Sequence, residues 1–445
     1  MMPIQDMYKL PIASRPAHPT PLVNRLLFYP VFVAGALVIL SIQAAFIPIG
    51  VTSWTWITLR RSFGLKRTTG WIEQGYEWGV RRTKQLFGML LIVMISMFAP
   101  TTITLTSDDS LSLDRILVRP NPKRSTTYLA LPSDLVIMSN HQAYLDWIFI
   151  WILGHLSVTP ESKEEHPKKE WHHGSRSLII LLKKSLKWLP LVGWGMQVYR
   201  FIFLARHWAQ DQGNLSKALR DLGARAKTKA LGGLWVLIFP EGTITSDDER
   251  AKSVRYAQKE GVPDFVNVLH PRSTGLLFIL RTLTPQIPTL RLLDITIGYP
   301  GVTRGGYAQE WYGLTSVFIK GIPPPTIHVH LRMIDLPNEE IPGVTDPLTA
   351  SRKGEREQVS DTTPLLVDQP TAGPAHPTSI PGLATEQEAK AFNGWLRKRW
   401  GDKEVLLDRF TRTGGFWIAP AEEVDEVQRR GLISGGAVEV PIALW

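Results

Sequence analysis

The chain has 445 residues and no cysteine, which excludes disulfide bonds, thiolate catalysis and cysteine-based zinc sites. Fifty lysines and arginines against forty aspartates and glutamates leave a net charge of +10. Such a charge suits either nucleic acid or an anionic lipid surface as a partner.

The N-terminal quarter of the chain is dominated by apolar sequence. Residues 1–25 are polar and proline-rich, which predicts a disordered N-terminus. The stretches Leu26–Leu59 and Leu86–Ser107 contain no Asp, Glu, Lys, Arg or His, and each is long enough to cross a bilayer. We therefore predict a membrane-anchoring region over residues 26–107, with a basic loop over residues 60–85 that the positive-inside rule places in the cytosol. A single crossing by Leu86–Ser107 would then put the rest of the chain in the lumen, so the alternative is that one of the two stretches re-enters the bilayer or lies flat on it. With such segments present, a phospholipid bilayer is a better partner for the positive charge than nucleic acid.

The central part of the chain, residues 127–336, alternates between two patterns. Short runs rich in β-branched residues predict strands, and longer amphipathic stretches between them predict helices. This alternation predicts a single α/β domain with a mostly parallel sheet and flanking helices, preceded by N-terminal membrane helices. The predicted strands are Leu135–Met138, Leu234–Phe239, Leu293–Ile297 and Thr326–Leu331, and the predicted helices are Gln142–Leu156, Gln212–Ala230 and Tyr256–His270.

The C-terminal part divides by composition. Residues 338–386 are rich in Pro, Thr, Ser and Gly and poor in aromatic residues, which predicts a disordered insert. Apolar residues then recur with helical spacing over Glu386–Phe410, so residues 387–445 are predicted to form a helical tail.

The densest group of chemically active side chains follows the first predicted strand. His141 and Asp146 are five residues apart, about 140° around a regular helix, so they cannot pair if both lie inside one. They can pair if His141 lies on the strand-to-helix turn and Asp146 points back from the first helical turn. Asp146 would then orient His141 as a general base for a hydroxyl group. A turn histidine and a solvated aspartate are the alternative that the spacing allows.

A second group follows the strand predicted at Leu234–Phe239. Glu241, Gly242 and Thr243 come after a proline, which is typical of a ligand loop at the C-terminal end of a strand. Glu241 could accept a hydrogen bond from a substrate hydroxyl, and an ordinary turn is the alternative.

Taken together and in order, these motifs resemble the glycerolipid acyltransferase family, which includes 1-acylglycerol-3-phosphate acyltransferase. His141-x4-Asp146 and Phe239-Pro240-Glu241-Gly242-Thr243 match its first and third blocks. Phe203-Leu204-Ala205-Arg206 and His270-Pro271-Arg272-Ser273-Thr274-Gly275 match its second and fourth blocks. Asp294–Tyr299 and Leu406–Phe416 are similar to the eukaryotic branch that includes lysocardiolipin acyltransferase.

The resemblance implies transfer of an acyl group from acyl-CoA to a free hydroxyl of a lysophospholipid, with acyl-CoA as co-substrate, no cofactor and no metal. It implies His141 as general base, Arg206 as a phosphate ligand, and Glu241, Gly242, Thr243 and Pro271 as acceptor-binding residues. Taken alone, Arg206 could equally be a surface residue that ends the apolar run before it. Direct attack by the hydroxyl agrees with the absence of cysteine and of a Gly-x-Ser-x-Gly motif.

Other features leave alternatives open. Leu178–Phe203 mixes Lys and Trp with apolar residues, which suits the headgroup level of a bilayer, although a buried helix fits equally. His328 with His330 and the pair His172-His173 could bind a metal, but packed or solvated histidines are the simpler interpretation because no third ligand is in register.

For the acceptor, the default is lysophosphatidate, and lysophosphatidylinositol or lysocardiolipin is the alternative because the branch contains remodelling enzymes. An inactive lipid-binding scaffold is a more distant alternative, and nucleic-acid binding has no supporting motif. The membrane is expected to be the endoplasmic reticulum, with a mitochondrial or lipid-droplet membrane as the alternatives.

Overall fold

The computed structural model of the chain describes residues 3–62, 71–118, 128–160, 171–227, 233–336, 338–345, 384–417 and 426–442. In these ranges the helices are α1 Leu22–Ser62, α2 Trp71–Phe98, α3 Leu113–Ile116, α4 Asp146–His155, α5 Val192–Val198, α6 Trp208–Lys227, α7 Asp247–Glu260, α8 Ser273–Leu283, α9 Ala308–Trp311, α10 Glu386–Thr413 and α11 Glu426–Arg429. The strands are β1 Thr102–Ser107, β2 Leu117–Val118, β3 Tyr128–Ala130, β4 Asp134–Ser139, β5 Ser157–Pro160, β6 Trp171–His173, β7 Leu178–Lys183, β8 Ile202–Leu204, β9 Leu234–Ile238, β10 Arg291–Gly298, β11 Thr326–Ile334 and β12 Ser434–Pro441.

The strands of the large sheet follow the order β12-β1-β11-β10-β4-β9-β7-β8. The neighbours β1–β12 and β10–β11 run antiparallel, and the other neighbours run parallel. β4 lies near the middle of this sheet, where Leu135 is in register with both Arg291 and Trp235. The four strands predicted from the sequence are β4, β9, β10 and β11, so the α/β class and the central sheet are confirmed.

The two faces of the sheet carry separate hydrophobic clusters. Successive side chains of a strand point to opposite faces. Leu135 and Ile137 of β4 therefore pack in one cluster with α2 and α4, whereas Val136 and Met138 pack in the other with α6, α8 and α10. Because both faces are covered, the central strands are continuous apolar runs rather than alternating ones.

The second uncharged stretch, Leu86–Ser107, is not a membrane span. Its first part is the C-terminal half of α2, in which Met94 and Ile95 are buried, and its last part is β1, which pairs with β11 and β12. Within the described ranges one helix is long and apolar enough to cross a membrane, over Leu22–Thr52. A second span is therefore not confirmed, because burial in a protein core and burial in lipid select the same apolar residues.

The basic loop predicted over residues 60–85 is largely helical. Residues 60–62 end α1, and residues 71–85 form the first half of α2. Residues 63–70 lie outside the described residues. Composition identified the positive charges but not the helices that carry them.

The N-terminal segment is ordered from residue 3, contrary to the prediction of disorder over residues 1–25. Met7 is only 1% exposed, and two short 3₁₀ helices, Ile4–Lys9 and Ile12–Ser14, precede α1. The guanidinium of Arg15 attaches this segment to the domain through hydrogen bonds to Leu10 O (2.9 Å), Ser316 Oγ (2.6 Å) and Trp311 O (2.6 Å). These long-range contacts supply the order that the local composition does not.

The helix predicted over Tyr256–His270 ends early. α7 finishes at Glu260 because Gly261 adopts the left-handed conformation (φ +62°) that caps a helix, and Pro263 follows. Residues 261–272 then form a loop that leads to α8.

The C-terminal part belongs to the domain core and is not only helical, contrary to the prediction for residues 387–445. α10 begins with a capping box between Thr385 and Glu388 and ends at Gly414 (φ +78°). β12 then adds an edge strand beside β1. Ile341, at the start of the predicted disordered insert, is fully buried, and the insert's residues 346–383 lie outside the described residues.

Candidate active site

The site is built on the turn that follows β4. Asn140 extends the pairing of β4 with β10 beyond the strand, because its side chain donates to Ile297 O (3.0 Å) and accepts from Ile297 N (2.8 Å). This two-point contact holds the next residue, His141, at the C-terminal end of the sheet. Ligand sites of open α/β sheets lie at this end of the strands.

His141 and Asp146 form a hydrogen-bonded pair. The His141 Nδ1 atom lies 2.8 Å from Asp146 Oδ2. The same Oδ2 atom accepts hydrogen bonds from the main-chain amides of Gln142 (2.6 Å) and Ala143 (3.0 Å). The turn therefore folds back on the first residue of α4, which is the geometry that pairing across five residues requires.

Asp146 is fully buried, and its second oxygen also has a partner. The Tyr299 hydroxyl donates to Asp146 Oδ1 at 2.6 Å. Burial, followed by the negative charge of Asp146, raises the pKa of Tyr299 well above its usual value, so this hydroxyl keeps its proton and remains a donor. Tyr299 directly follows β10, which pairs with β4. Its position just after a neighbouring strand could have identified it from the sequence as a residue near the His141–Asp146 pair.

The other face of His141 is set by the loop after β9. The ring of Phe239 stacks on the imidazole with centroids 4.1 Å apart and an angle of 18° between the planes. Because the ionised carboxylate of Asp146 only accepts, the proton belongs on Nδ1 and Nε2 carries the free lone pair. Within the described part of the chain, Nε2 has no hydrogen-bond partner, and the His141 side chain is 15% exposed.

The side chain of Glu241 is buried in the core, close to the His141–Asp146 pair. The residue is 2% exposed, and its Oε1 atom accepts a hydrogen bond from the indole of Trp400 on α10 at 3.2 Å. Burial raises the pKa of Glu241 to about 8, against the lowering effects of Trp400, the His141 amide and the charge of Lys403. The predicted contact between Glu241 and a substrate hydroxyl stays a prediction.

Gly242 and Thr243 complete the loop. Gly242 has φ +74°, which favours glycine, and its amide donates to Phe239 O at 2.9 Å to close a tight turn. Thr243 is half-buried, and its hydroxyl lies 3.4 Å from Ile244 O.

Two exposed arginines, Arg206 after β8 and Arg272 before α8, lie near each other. Arg206 has φ +66°, a strained value for a non-glycine residue, and Asp211 supports it by accepting from the amides of Ala205 (2.8 Å) and His207 (3.1 Å). Partial burial and then the like charge of Arg272 lower the pKa of Arg206. In the described ranges, neither guanidinium has a hydrogen-bond or ion-pair partner.

Pro271 and Arg272 join the fourth block to the third. Pro271 is buried, and the Arg272 amide donates to Pro240 O at 2.8 Å, just before α8 begins. The Arg272 side chain passes over Gly242, where a Cβ atom would lie 3.5 Å from its Cδ atom. The sequence motif predicted Pro271 as an acceptor-binding residue, which stays a prediction, whereas the structure brings the charge of its neighbour Arg272 close to Arg206.

The loop between α7 and α8 is fixed against the site by side chains distant in sequence. Glu404 of α10 accepts from the amides of Val266 (3.0 Å) and Asn267 (2.8 Å). The Gln142 side chain in turn donates to Asn267 O at 2.9 Å. These contacts, which no local pattern indicates, hold the turn that carries His141.

Among the described residues, no group of three or more His, Asp or Glu residues could hold a metal ion. His330 is buried against Thr106 (3.1 Å), and burial lowers its pKa to about 3. Burial likewise lowers the pKa of His328 to about 4. Both rings therefore pack as neutral side chains.

Comparison with known proteins agrees with the order of the motifs. Residues 123–297 match the family described as Acyltransferase. The chain is 31% identical over 370 residues, 77% of each chain, to the 2-acyl-1-lysophosphatidylinositol acyltransferase of Saccharomyces cerevisiae. It is 31% identical to lysocardiolipin acyltransferase 1 of Danio rerio, over 62% of this chain and 53% of the relative. It is 29% identical to the probable 1-acyl-sn-glycerol-3-phosphate acyltransferase 5 of Arabidopsis thaliana, over 46% and 48% of the two chains.

No solved structure matches the chain. The family match covers β4, β9 and most of β10, and therefore His141, Arg206, Glu241 and Pro271. The chain belongs to the glycerolipid acyltransferase family.

Proposed function

We propose that the protein transfers an acyl group from acyl-CoA to a free hydroxyl of a lysophospholipid. The observation that carries this proposal is the pairing of His141 with a buried Asp146 at the C-terminal end of β4, with Nε2 left available. Two exposed arginines beside that pair supply a place for the acceptor's phosphate.

In the proposed reaction, His141 Nε2 removes the proton of the acceptor hydroxyl as the oxygen attacks the thioester carbonyl carbon. The C–S bond breaks, and the CoA thiolate leaves and takes the proton back from the imidazolium. Asp146 stabilises the imidazolium formed between these steps and keeps the ring oriented. No covalent acyl-enzyme is needed, which agrees with a chain that has no cysteine.

Arg206 and Arg272 are proposed to bind the phosphate of the acceptor. Two guanidinium groups near each other repel in the absence of an anion, and a phosphate relieves that repulsion through charge-assisted hydrogen bonds. α8 begins immediately after Arg272, and its N-terminus also favours negative charge.

For the acceptor we propose lysophosphatidylinositol ahead of lysophosphatidate. The relative named for lysophosphatidylinositol aligns over 77% of both chains, whereas the relative named for 1-acyl-sn-glycerol-3-phosphate aligns over less than half of each. Lysocardiolipin is the second candidate, since the relative named for it aligns over 62% of this chain, and lysophosphatidate, the default from the sequence, is the third.

Attachment to a membrane is proposed through α1 and a neighbouring surface. α1 carries the apolar stretch Leu22–Thr52, and α5 packs against α1. Beside α5, Trp188 is 70% exposed and Lys187 lies over its ring at 5.3 Å. Exposed tryptophan with lysine suits the headgroup level of a bilayer, which supports the interfacial interpretation for residues 184–194. The ends of the stretch Leu178–Phe203 belong instead to β7 and β8 of the sheet.

Purified protein in mixed micelles, incubated with labelled oleoyl-CoA and a panel of lysophospholipids, tests the proposal. We expect acylation of lysophosphatidylinositol and a loss of about 10²–10⁴-fold in the His141→Ala variant. No acylation of any lysophospholipid by well-folded protein, or an equal rate in the variant, would contradict the proposal.

A further inference from the structure

A cavity of about 340 Å³ lies beside the turn that carries the His141–Asp146 pair. Its walls come from that turn, from the N-terminal segment, from α9 and from the chain that follows α9. Its lining includes Ile12, Tyr144, Gln309, Thr315, Ser316 and Lys320. Ligand pockets typically measure about 300–1,000 Å³, so the cavity is large enough for one sugar-sized ring.

The polar groups that line the cavity are mostly hydrogen-bond donors. The Tyr144 amide donates to Gln309 Oε1 at 2.8 Å, which fixes the amide group and leaves its Nε2 atom free to donate. The Thr315 hydroxyl and the Lys320 ammonium have no partner in the described part of the chain. The lining contains no carboxylate, so the charge of Lys320 is not neutralised inside the cavity.

The cavity is adjacent to the proposed phosphate site through Tyr144. Tyr144 is 56% exposed, lines the cavity and lies close enough to Arg206 to affect its pKa. A phosphate held by Arg206 would therefore lie near Tyr144, which also borders this cavity.

We propose that this cavity binds the polyol headgroup of the lysophospholipid acceptor, with Gln309, Thr315 and Lys320 as the groups that recognise its hydroxyls. The inference rests on the proposed function and names the part of the site that selects the acceptor. The neutral hydroxyl groups of a polyol can accept hydrogen bonds from all three of these side chains, and an inositol ring attached to the phosphate carries several such hydroxyls. Lysophosphatidate has no headgroup beyond its phosphate and would leave the cavity empty.

The N-terminal segment supplies one wall of the cavity. Ile12 lines it, and Arg15 fixes the segment by donating to Ser316 Oγ and Trp311 O, both at 2.6 Å. His18 Nε2 also lies 3.1 Å from Lys320 O. The wall is therefore rigid, as a site that distinguishes headgroups requires.

The test uses full-length protein and the double variant Thr315→Val/Lys320→Ala, which keeps the shape of Thr315 and leaves the Gln309–Tyr144 contact intact. Lys217→Ala, an exposed lysine on α6, is the matched control. kcat/KM is measured for lysophosphatidylinositol and for lysophosphatidate with the same acyl-CoA. We expect the ratio of the two values to fall about tenfold in the double variant and to stay at the wild-type value in the control.

An unchanged ratio in the double variant would overturn the inference and leave the acyltransferase proposal intact. If wild-type protein acylates neither acceptor, the proposed function fails, and binding of water-soluble glycerophosphoinositol measured by calorimetry still tests the cavity. Binding by wild-type protein that weakens in the double variant supports the inference. No binding by wild-type protein overturns it.

Discussion

Replacing Asp146 by asparagine tests the chemistry of the site with little change of shape. The side-chain oxygen of the substituted residue can still accept from the amides of Gln142 and Ala143, and the Tyr299 hydroxyl can rotate to accept from the new amide group. The fold of the turn should therefore survive. What disappears is the negative charge that faces the imidazolium in the proposed reaction.

The size of the effect follows from the geometry. The Nδ1–Oδ2 distance is 2.8 Å, which puts the charge centres about 4 Å apart. At an effective dielectric constant of about 20, that interaction is about 4 kcal/mol, or about a thousandfold in rate. We expect Asp146→Asn to lower kcat by about 10²–10³-fold with a melting temperature within a few degrees of wild type.

The assay is acyl transfer from labelled acyl-CoA under saturating acceptor, with the melting temperature measured on the same preparation. Asp134→Asn is the matched control. Asp134 is the first residue of β4, at the end of the strand opposite to His141, and it accepts hydrogen bonds from the hydroxyls of Ser133 (2.8 Å) and Thr289 (2.9 Å). Wild-type kcat in a folded Asp146→Asn protein would refute the role of the charge. Equal losses in both variants would show that the effect is structural.

Three further predictions follow from other parts of the chain. Arg206→Lys should weaken the apparent affinity for the lysophospholipid by about ten- to a hundredfold, since Lys cannot reproduce a bidentate contact with phosphate. Weaker affinity for acyl-CoA alone would show that Arg206 binds the acyl donor instead. Burial raises the pKa of Glu241 to about 8, so between pH 5 and pH 8 this carboxyl holds a proton in the folded protein that it loses in the unfolded chain. The melting temperature of the wild-type protein should therefore fall from pH 5 to pH 8, and Glu241→Gln should make that fall smaller. Alkaline carbonate should leave the protein with membranes because α1 is apolar over Leu22–Thr52, and release into the supernatant would contradict an integral segment.

The positions of the reactive residues could be predicted because they depend on local rules. Apolar runs rich in β-branched residues formed β4, β9, β10 and β11, and parallel central strands bring their C-terminal ends to one edge. The five-residue spacing of His141 and Asp146 allowed pairing only across a turn, and the pair is found on one. The roles of the acceptor-binding residues remain predictions.

The partners of those residues could not be predicted because they come from distant parts of the chain. Tyr299 reaches Asp146 across 153 positions, and Trp400 reaches Glu241 across 159. As a sequence pattern, Trp400 is simply part of the apolar face of a helix. The hydrogen bond of its indole to a buried carboxyl exists only once α10 packs against the sheet.

By itself, the sequence determined the α/β class, the order of the motifs and the placement of His141 on a turn, because periodicity and spacing are local properties. Tertiary structure alone decided that Leu86–Ser107 belongs to the core, that the N-terminal segment is ordered and that Arg272 accompanies Arg206. The physical reason is that burial depends on what the rest of the chain places around a segment. An apolar run is stabilised equally well in lipid or in a protein core, and the partner of a charged side chain is determined only when the chain folds.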